Sequence, residues 1–182
     1  MLVKFKFYAF KLCFFIFLIF FIQLLSDKFT QLFLLNSDSY SQIWRFFTAI
    51  FLHGNFIHLI YNIFALALFG SVLEKLIGSR RFLFAFFITG ILANLISVNF
   101  YDNSLGASGA IFGIIGTLIL IRPLMIVWAF SLPMPMFVAG ILWAAGDIIG
   151  IFVPSNVANF AHLSGMFFGL ILGIYYRIYP QK

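Results

Sequence analysis

The sequence predicts an all-α polytopic membrane protein with six transmembrane helices and with both termini in the cytoplasm. Apolar residues make up 64% of the 182 residues and charged residues only 9%, against roughly 25% charged residues in an average soluble domain. The apolar residues occur in long runs, as membrane spans do. The formal net charge is +6, and the basic residues fall between these runs in a way that fits one membrane face.

This composition excludes an ordinary soluble fold and a disordered chain, because there is too little polar surface to cover a globule. The basic charge is better explained by cytoplasmic loops than by nucleic acid, so we expect the lipid bilayer and no nucleic acid as partners. The single cysteine, Cys13, excludes an intramolecular disulfide and a cysteine-based metal site.

We predict six spans within one membrane domain that covers residues 1–182. The spans are residues 8–25, 56–73, 82–100, 108–121, 134–153 and 157–178. The first follows a basic segment, as a signal peptide would, but no small-residue cleavage site comes after it, so we expect a retained helix.

The distribution of Lys and Arg predicts the orientation of these spans. If the N-terminus lies inside, the outer side holds only Lys28 and Arg45. The cytoplasmic side then holds nine basic residues: Lys4, Lys6, Lys11, Lys75, Arg80, Arg81, Arg122, Arg177 and Lys182. This bias follows the positive-inside rule, and six spans return the C-terminus to the cytoplasm.

Two segments depart from a simple serpentine. The first outer loop, residues 26–53, is long and partly apolar, so we expect it to lie partly in the membrane interface. The fourth span has fourteen residues, or about 21 Å of helix, against a hydrocarbon core of about 30 Å. The backbone before Ser108 must therefore dip into the membrane, which is tolerated only inside protein or beside water. This predicts a wet cavity that opens outward, with Ser108 at its floor.

Three polar residues on three different spans fall at one predicted depth. Counted from the basic residue at each inner helix end, Ser108 lies about 21 Å, Asn62 about 20 Å and His162 about 22 Å along its helix. His58 lies one turn above Asn62 on the same face, whereas the same count places His53 near the outer surface.

Small residues at spacings of four, and once of three, mark two of these helices. Gly109, Gly113 and Gly116 lie on the fourth span, and Ala161, Gly165, Gly169 and Gly173 lie on the sixth. Such stripes let membrane helices approach closely, so facing stripes would bring Ser108 to His162. A histidine beside a serine can remove the hydroxyl proton as the oxygen attacks a carbonyl. His58, Asn62 and the backbone N–H of Ser108 could then stabilise the oxyanion.

With these residues, the chain resembles the rhomboid family of intramembrane serine proteases in its basic six-helix form. The matching strings are Trp44-Arg45, His53-x-x-x-x-His58-x-x-x-Asn62, Glu74, Gly106-Ala107-Ser108-Gly109 and Ala161-His162-x-x-Gly165-x-x-x-Gly169. They occur in the family's order, between residues 44 and 173.

The resemblance implies a compact rhomboid-like bundle with Ser108 as nucleophile and His162 as general base, without an aspartate. It implies an oxyanion hole formed by His58, Asn62 and the Ser108 N–H. Residues with supporting roles would be Gly106, which shapes the loop before the serine, and Trp44, Arg45, His53, Glu74 and Asn159. Phe112 departs from the pattern, because many rhomboids carry a tyrosine there that stacks on the histidine.

The resemblance also implies a cell-membrane location, with the active site open to the extracytoplasmic side. The substrates would be single-pass transmembrane proteins, cut near the outer ends of their helices, and no metal or other cofactor would be required. Asp147 is the one acid within the fifth span. It could orient His162 as the third member of a triad, but the resemblance makes it non-catalytic, so we expect it to be structural or near the surface.

Three alternatives are open. A catalytically inactive rhomboid-like protein would bind membrane clients without cutting them. A haem- or metal-binding membrane protein would use His53, His58 and His162, although His53 is predicted to lie too high to join the other two. A transporter would need buried carboxylates and an inverted repeat, and only Asp147 is a candidate carboxylate.

Overall fold

A computed structural model of the chain describes residues 5–153 and 155–180, and the protein is helical, with no closed sheet in this part. The long helices are α1 (Tyr8–Leu25), α4 (Phe56–Ala65), α6 (Ser79–Ser97), α7 (Ser108–Ile121), α8 (Met136–Gly150) and α9 (Asn159–Ile178). A π-helical segment, Leu66–Gly70, joins α4 without a break to α5 (Ser71–Ile77).

Among the described residues, four helical segments are long and apolar enough to cross a membrane. They are Tyr8–Leu25, Phe56–Ile77, Ser79–Ser97 and Asn159–Ile178, whereas Ser108–Ile121 and Met136–Gly150 are apolar but shorter. The chain is therefore a multi-pass membrane protein, and α7 has the short length that the sequence predicts.

Short elements fill the connections between the long helices. The segment 26–53 contains α2 (Asp27–Phe33), β1 (Leu35–Asn36), a 3₁₀ turn Ser37–Tyr40, α3 (Arg45–Thr48) and a second 3₁₀ turn Ala49–Phe51. Strand β1 pairs antiparallel with β2 (Asn103–Ser104), which ties this segment to the backbone just before α7. A hairpin that the sequence did not predict, β3 (Ile126–Ala129) and β4 (Leu132–Pro135), connects α7 to α8.

Several helix ends differ from the predicted spans, each for a local reason. The helix predicted to end at residue 73 continues to Ile77, where Gly78 adopts a φ of 79°, a region open to glycine. Because the chain turns within that one glycine, α6 begins at Ser79 rather than residue 82. The fifth helix begins at Met136 rather than residue 134, because Met134 pairs with Val127 in the hairpin.

Helices α7 and α9 pack with their backbones in contact. A Cβ at Gly165 would overlap the carbonyl oxygen of Gly109, and one at Gly169 would overlap that of Gly113. Thr117 adds a bond across the contact, since its hydroxyl donates to the Gly169 carbonyl at 3.0 Å. The prediction that the two small-residue stripes face each other is confirmed, and this contact places α7 in the core of the bundle.

Glu74 caps a helix that is far from it in sequence. Its fully buried carboxylate accepts hydrogen bonds from the backbone N–H of Tyr8 at 3.1 Å and of Ala9 at 3.0 Å. The hydroxyl of Ser79 donates to the same carboxylate at 2.6 Å. The first N–H groups of a helix have no partner within it, and a carboxylate there is favourable. The start of α1 is thereby fixed beside the end of α5.

The start of α6 and the end of α9 lie at the same end of the bundle. Arg81 donates from Nη1 to the carbonyl of Tyr179 at 2.8 Å, and the hydroxyl of Tyr176 donates to the carbonyl of Arg81 at 3.3 Å. Two residues of the predicted cytoplasmic set, Lys4 and Lys182, lie outside the described residues.

Candidate active site

Ser108 is the first residue of α7, and the backbone before it is held in place on two sides. Strand β2 pairs with β1, and the N–H of Gly106 donates to the carbonyl of Ala49 at 2.9 Å. Ser108 is partly exposed. Its own N–H belongs to the first turn of the helix, where backbone donors have no intrahelical acceptor. The serine therefore stands at a fixed helix N-terminus with a backbone donor beside it.

Gly106 lies where a side chain would collide with the site. Its φ is 130°, a conformation that other residues rarely adopt. A Cβ at this position would lie 2.9 Å from Nε2 of His58 and 3.8 Å from Oγ of Ser108. His58 Nε2 and Ser108 Oγ therefore flank the same point in space, and the glycine leaves that point open.

His162 lies in the first turn of α9, beside the first turns of α7. The imidazole stacks on the ring of Phe112, with centroids 4.2 Å apart and planes at 5°. Phe112 follows Ser108 by four residues, so both side chains occupy the same face of α7. Next to them, a Cβ at Gly109 would lie 3.4 Å from the Ala161 carbonyl oxygen. The fold thus brings His162 to the face of α7 that carries Ser108.

The other side of the imidazole contacts Asp147 on α8. Nδ1 of His162 lies 2.9 Å from Oδ1 of Asp147, and the acid is only 7% exposed. Its Oδ2 is buried and has no hydrogen-bond partner among the described residues. The sequence analysis expected Asp147 to be structural or near the surface, and the side chain is buried within the protein, close to the end of α8. No basic residue marks the start of α8, so the sequence contained no reference from which to measure its depth.

His58 and Asn62 line one face of α4. The helix is capped by Asn55, whose side chain accepts from the His58 N–H at 2.8 Å. The Gly54 N–H points at His58 Nδ1 from 3.5 Å, which favours the tautomer with its proton on Nε2. Asn62 donates from Nδ2 to the His58 carbonyl at 2.8 Å. An amide nitrogen has two protons, so one Asn62 donor remains for a ligand.

His53 lies inside the protein, against His58. Its ring is 2% exposed, and the two imidazole centroids are 5.0 Å apart. The prediction that His53 lies too high to join His58 is therefore wrong. The depth count assumed helix up to residue 53, whereas α4 begins at Phe56 and residues 52–55 are not helical.

Gln23 of α1 holds the backbone of His53 through bonds to its N–H at 2.9 Å and to its carbonyl at 3.3 Å. Both ring nitrogens of His53 are buried without a hydrogen-bond partner within the described part of the chain. Burial, together with the nearby His58, lowers the pKa of His53 from 6.5 to about 3. The ring is thus neutral at physiological pH.

The remaining predicted supporting residues hold backbone segments around the site. Arg45 is 5% exposed and donates from Nη1 to the carbonyls of Gln31 and Leu34, each at 2.7 Å. It is thus buried inside the segment 26–53 rather than placed in an open loop. Trp44 donates to the Leu32 carbonyl at 3.3 Å. Asn159 is buried at the start of α9, with its amide against Gly150.

The described residues contain no group of three or more His, Cys, Asp or Glu side chains that could hold a metal ion. The arrangement contains the Ser108 hydroxyl at the N-terminus of α7 and the His162 imidazole of α9, which packs against the same face of α7. The N–H donors of His58 and Asn62 come from a third helix, α4. Such a set is suited to nucleophilic attack on a carbonyl with stabilisation of the oxyanion. For Asp147 the sequence analysis left a role in a triad open but expected a structural or near-surface one, and the signal for this residue was an acid within an apolar span.

Comparison with known proteins shows which family the chain resembles. Residues 40–179 match the Rhomboid domain family. RHOMBOID-like protein 7 of Arabidopsis thaliana is 32% identical over 142 residues, which are 77% of this chain and 45% of that protein. The putative rhomboid protease YdcA of Bacillus subtilis (strain 168) is 33% identical over 135 residues, which are 71% of this chain and 65% of that protein.

The rhomboid protease GlpG of Yersinia pseudotuberculosis is 28% identical over 144 residues, which are 77% of this chain and 50% of that protein. The chain therefore spans less than two thirds of the length of each of these relatives. The family match includes α4 to α9 and every candidate site residue. Because that match covers most of the sequence, this chain belongs to the rhomboid family, which includes intramembrane proteases.

Proposed function

We propose that this chain is an intramembrane serine endopeptidase with Ser108 as nucleophile and His162 as general base. The observation that carries the proposal is the stacking of His162 on Phe112, one turn from Ser108. His58, on α4, points its Nε2 towards the serine from the other side of Gly106. The family membership supports a peptide bond as the target, since relatives are named rhomboid proteases.

In the proposed reaction, Oγ of Ser108 attacks the carbonyl carbon of the scissile peptide and His162 Nε2 accepts the hydroxyl proton. The negative charge moves to the carbonyl oxygen. Nε2–H of His58, the second N–H of Asn62 and the Ser108 N–H donate to that oxygen. When the intermediate collapses, His162 gives its proton to the leaving amine. Water, deprotonated by His162, then attacks the acyl ester and releases Ser108.

The proposal includes six membrane spans within one rhomboid-like domain, residues 1–182, with both termini in the cytoplasm of a cell membrane. Bonds at one end of the bundle support the orientation, because they join the start of α1 to α5 and the start of α6 to the end of α9. Ser108 starts α7 and His162 lies in the first turn of α9, and the far ends of these helices lie towards Arg122 and Arg177. The site would thus open to the extracytoplasmic side.

The substrates would be single-pass transmembrane proteins whose helices unwind at the cleavage site. A peptide carbonyl in an intact helix is already hydrogen-bonded, and lipid offers no substitute partner. A carbonyl released by local unwinding can instead accept bonds from the donors of the site. Segments with helix-breaking or small residues near the outer membrane boundary fit this requirement.

A fluorophosphonate probe tests the nucleophile directly. Incubation of purified protein with the probe, followed by peptide mapping, should place the label on Ser108, and cleavage of a transmembrane test substrate should stop as labelling proceeds. The Ser108→Ala variant should bind the same substrate without label or cleavage. Substrate binding without labelling of the unmodified protein would instead identify a client-binding protein, and label on another serine would reject Ser108.

A further inference from the structure

A carboxylic acid within an apolar membrane helix needs an explanation, because burying it is costly. Asp147 is such an acid. It lies in the last turn of α8, among otherwise apolar residues, and is 7% exposed. Within the described residues, its one side-chain partner is the imidazole of His162. Apolar contact would be enough to join α8 to α9, so a carboxylate placed against the proposed base points to a role in the chemistry of that base.

The imidazole of His162 is held on two sides by groups of different kinds. Phe112 covers its face, with the planes only 5° apart. A phenyl ring offers no hydrogen bond, so this contact restricts tilt but leaves rotation within the plane free. Asp147 supplies the missing restraint at the edge, with Oδ1 2.9 Å from Nδ1. The two contacts together fix both the plane of the ring and its rotation.

We propose that Asp147 is a positioning residue that acts through His162. A carboxylate at Nδ1 accepts the proton of that nitrogen and thereby selects the tautomer in which Nε2 has a free lone pair. Nε2 can then accept the proton of the Ser108 hydroxyl. When it does, the ring becomes an imidazolium, and the adjacent carboxylate stabilises the positive charge. This inference rests on the proposed function of Ser108 and His162, and it turns the proposed pair into a Ser–His–Asp arrangement on three helices.

Kinetics and stability separate this role from a structural one. Asp147→Asn keeps the shape but presents an amide that can donate to Nδ1 and so select the opposite tautomer. We expect a fall in kcat of about 10- to 10⁴-fold, the upper value being that of such a change in other serine proteases, with KM and the unfolding midpoint unchanged. Asp147→Leu should lose as much activity while unfolding at the same or a higher temperature, because a buried polar group has been removed.

Gly146→Ala provides the matched control on the same helix turn, since a Cβ at that position would meet no atom within 4 Å apart from its chain neighbours and the backbone of its own helix. It should leave kcat unchanged. If both Asp147 variants keep kcat, or if they lose stability and activity together while Gly146→Ala does not, Asp147 is structural and the inference is overturned.

A spectroscopic measurement separates this inference from the proposed function. In Ser108→Ala protein labelled with ¹⁵N-histidine, NMR should show the His162 proton on Nδ1, and adding Asp147→Asn should move it to Nε2. His162→Gln assigns the signals. If the His162 proton stays on the same nitrogen when Asp147→Asn is added, the inference is overturned even if Ser108 is the nucleophile. If Ser108→Ala protein still cleaves substrate, the proposed function fails, and the tautomer signal alone decides whether Asp147 positions the ring.

Discussion

Ser108 and His162 depend on each other in the proposed mechanism, because the hydroxyl is a weak nucleophile until the imidazole accepts its proton. Ser108→Ala and His162→Ala should each abolish cleavage of a transmembrane test substrate and leave the fold intact. Residues that act as a unit give non-additive losses, so the double variant should be no slower than either single one. Cleavage rates and thermal unfolding of the three variants in one detergent check this. Substantial proteolysis by Ser108→Ala would remove Ser108 as nucleophile.

The oxyanion donors should behave differently from that pair. Losing one donor from such a site costs about 10²–10³ in rate, and the Ser108 N–H would remain. Asn62→Ala should therefore be slowed but measurable, with little change in KM, and His58→Ala should resemble it. Asn62→Asp should be slower than Asn62→Ala, because it adds negative charge where negative charge develops. If Asn62→Ala cleaves the substrate as fast as the unmodified protein does, α4 has a packing role only.

The buried ring of His53 should make the protein sensitive to acid. Its folded-state pKa of about 3 lies below the ordinary value of 6.5, so between these values the unfolded chain binds a proton that the folded chain does not. Stability must then fall as pH falls through this window. From pH 6.5 to 5 the loss is about 2 kcal/mol, at 1.36 kcal/mol per unit.

His53→Phe keeps a ring of similar size without titration, so this variant should lose less stability than the unmodified protein between pH 7 and pH 5. Thermal midpoints in detergent at both values provide the comparison. Equal losses in the two proteins would show that His53 does not titrate as its burial implies.

The sequence predicted the positions of individual site residues where helical spacing is regular. Ser108, Asn62 and His162 lie within helices, so counting at 1.5 Å per residue locates them. His53 lies before the first helical residue, and Asp147 lies on a helix whose membrane boundary no charge marks. Helical spacing could place neither residue, and their contacts with His58 and His162 depend on tertiary packing.

Among the elements, the contact of α7 with α9 is the one on which the site depends. The backbones of the two helices touch at glycines of both. Helix α7 starts at Ser108, and α9 starts at Asn159. Membrane helices gain most of their association from such close packing. A small shift of α9 along this contact would move His162 relative to the serine without altering any side chain of the site.

Gly165→Val should therefore lower stability and activity together, because its side chain would meet the carbonyl of Gly109. Gly146→Val is the matched control, since the same side chain on α8 would enter open space. Unfolding midpoints and cleavage rates of the two variants give the test. If Gly165→Val retains both stability and activity, α7 and α9 are not in backbone contact at this position.

Element boundaries were less predictable than element existence. Hydropathy located the centres of the long helices, but the predicted fifth span included the last two residues of strand β4, before the start of α8. Likewise, Gly78 ends one helix and begins the next without any polar linker. Periodicity does not encode such a turn, which depends on one positive φ.

In the whole molecule, long-range polar bonds fix the first helix to the rest of the bundle. Glu74 accepts hydrogen bonds from the first N–H groups of α1. Near the other end of α1, Gln23 accepts a hydrogen bond from the backbone N–H of His53. The resemblance implied a structural role for Glu74, and hydropathy alone could not have paired it with a helix start some 65 residues earlier.

Glu74→Gln should destabilise the protein by about 2 kcal/mol or more, because bonds to a charged acceptor are worth about 1.5–3 kcal/mol each and the amide would direct N–H groups at other donors. Lys75→Gln is the control at the adjacent, exposed position. Thermal unfolding should show a lower midpoint for Glu74→Gln alone, while the fluorophosphonate still labels Ser108 below that midpoint. Equal midpoints would mean that the cap adds nothing to stability.

The π-helical segment Leu66–Gly70 has a consequence for the length of this helix. A π turn amounts to one residue inserted into an α-helix. Deleting a single residue there would restore regular helix while α4 and α5 kept their relative phase. His58 and Asn62 above the segment, and Glu74 below it, would all keep their orientations. One residue can therefore be removed from this helix, at a point between the proposed oxyanion donors and the cap of α1, without changing the orientation of either.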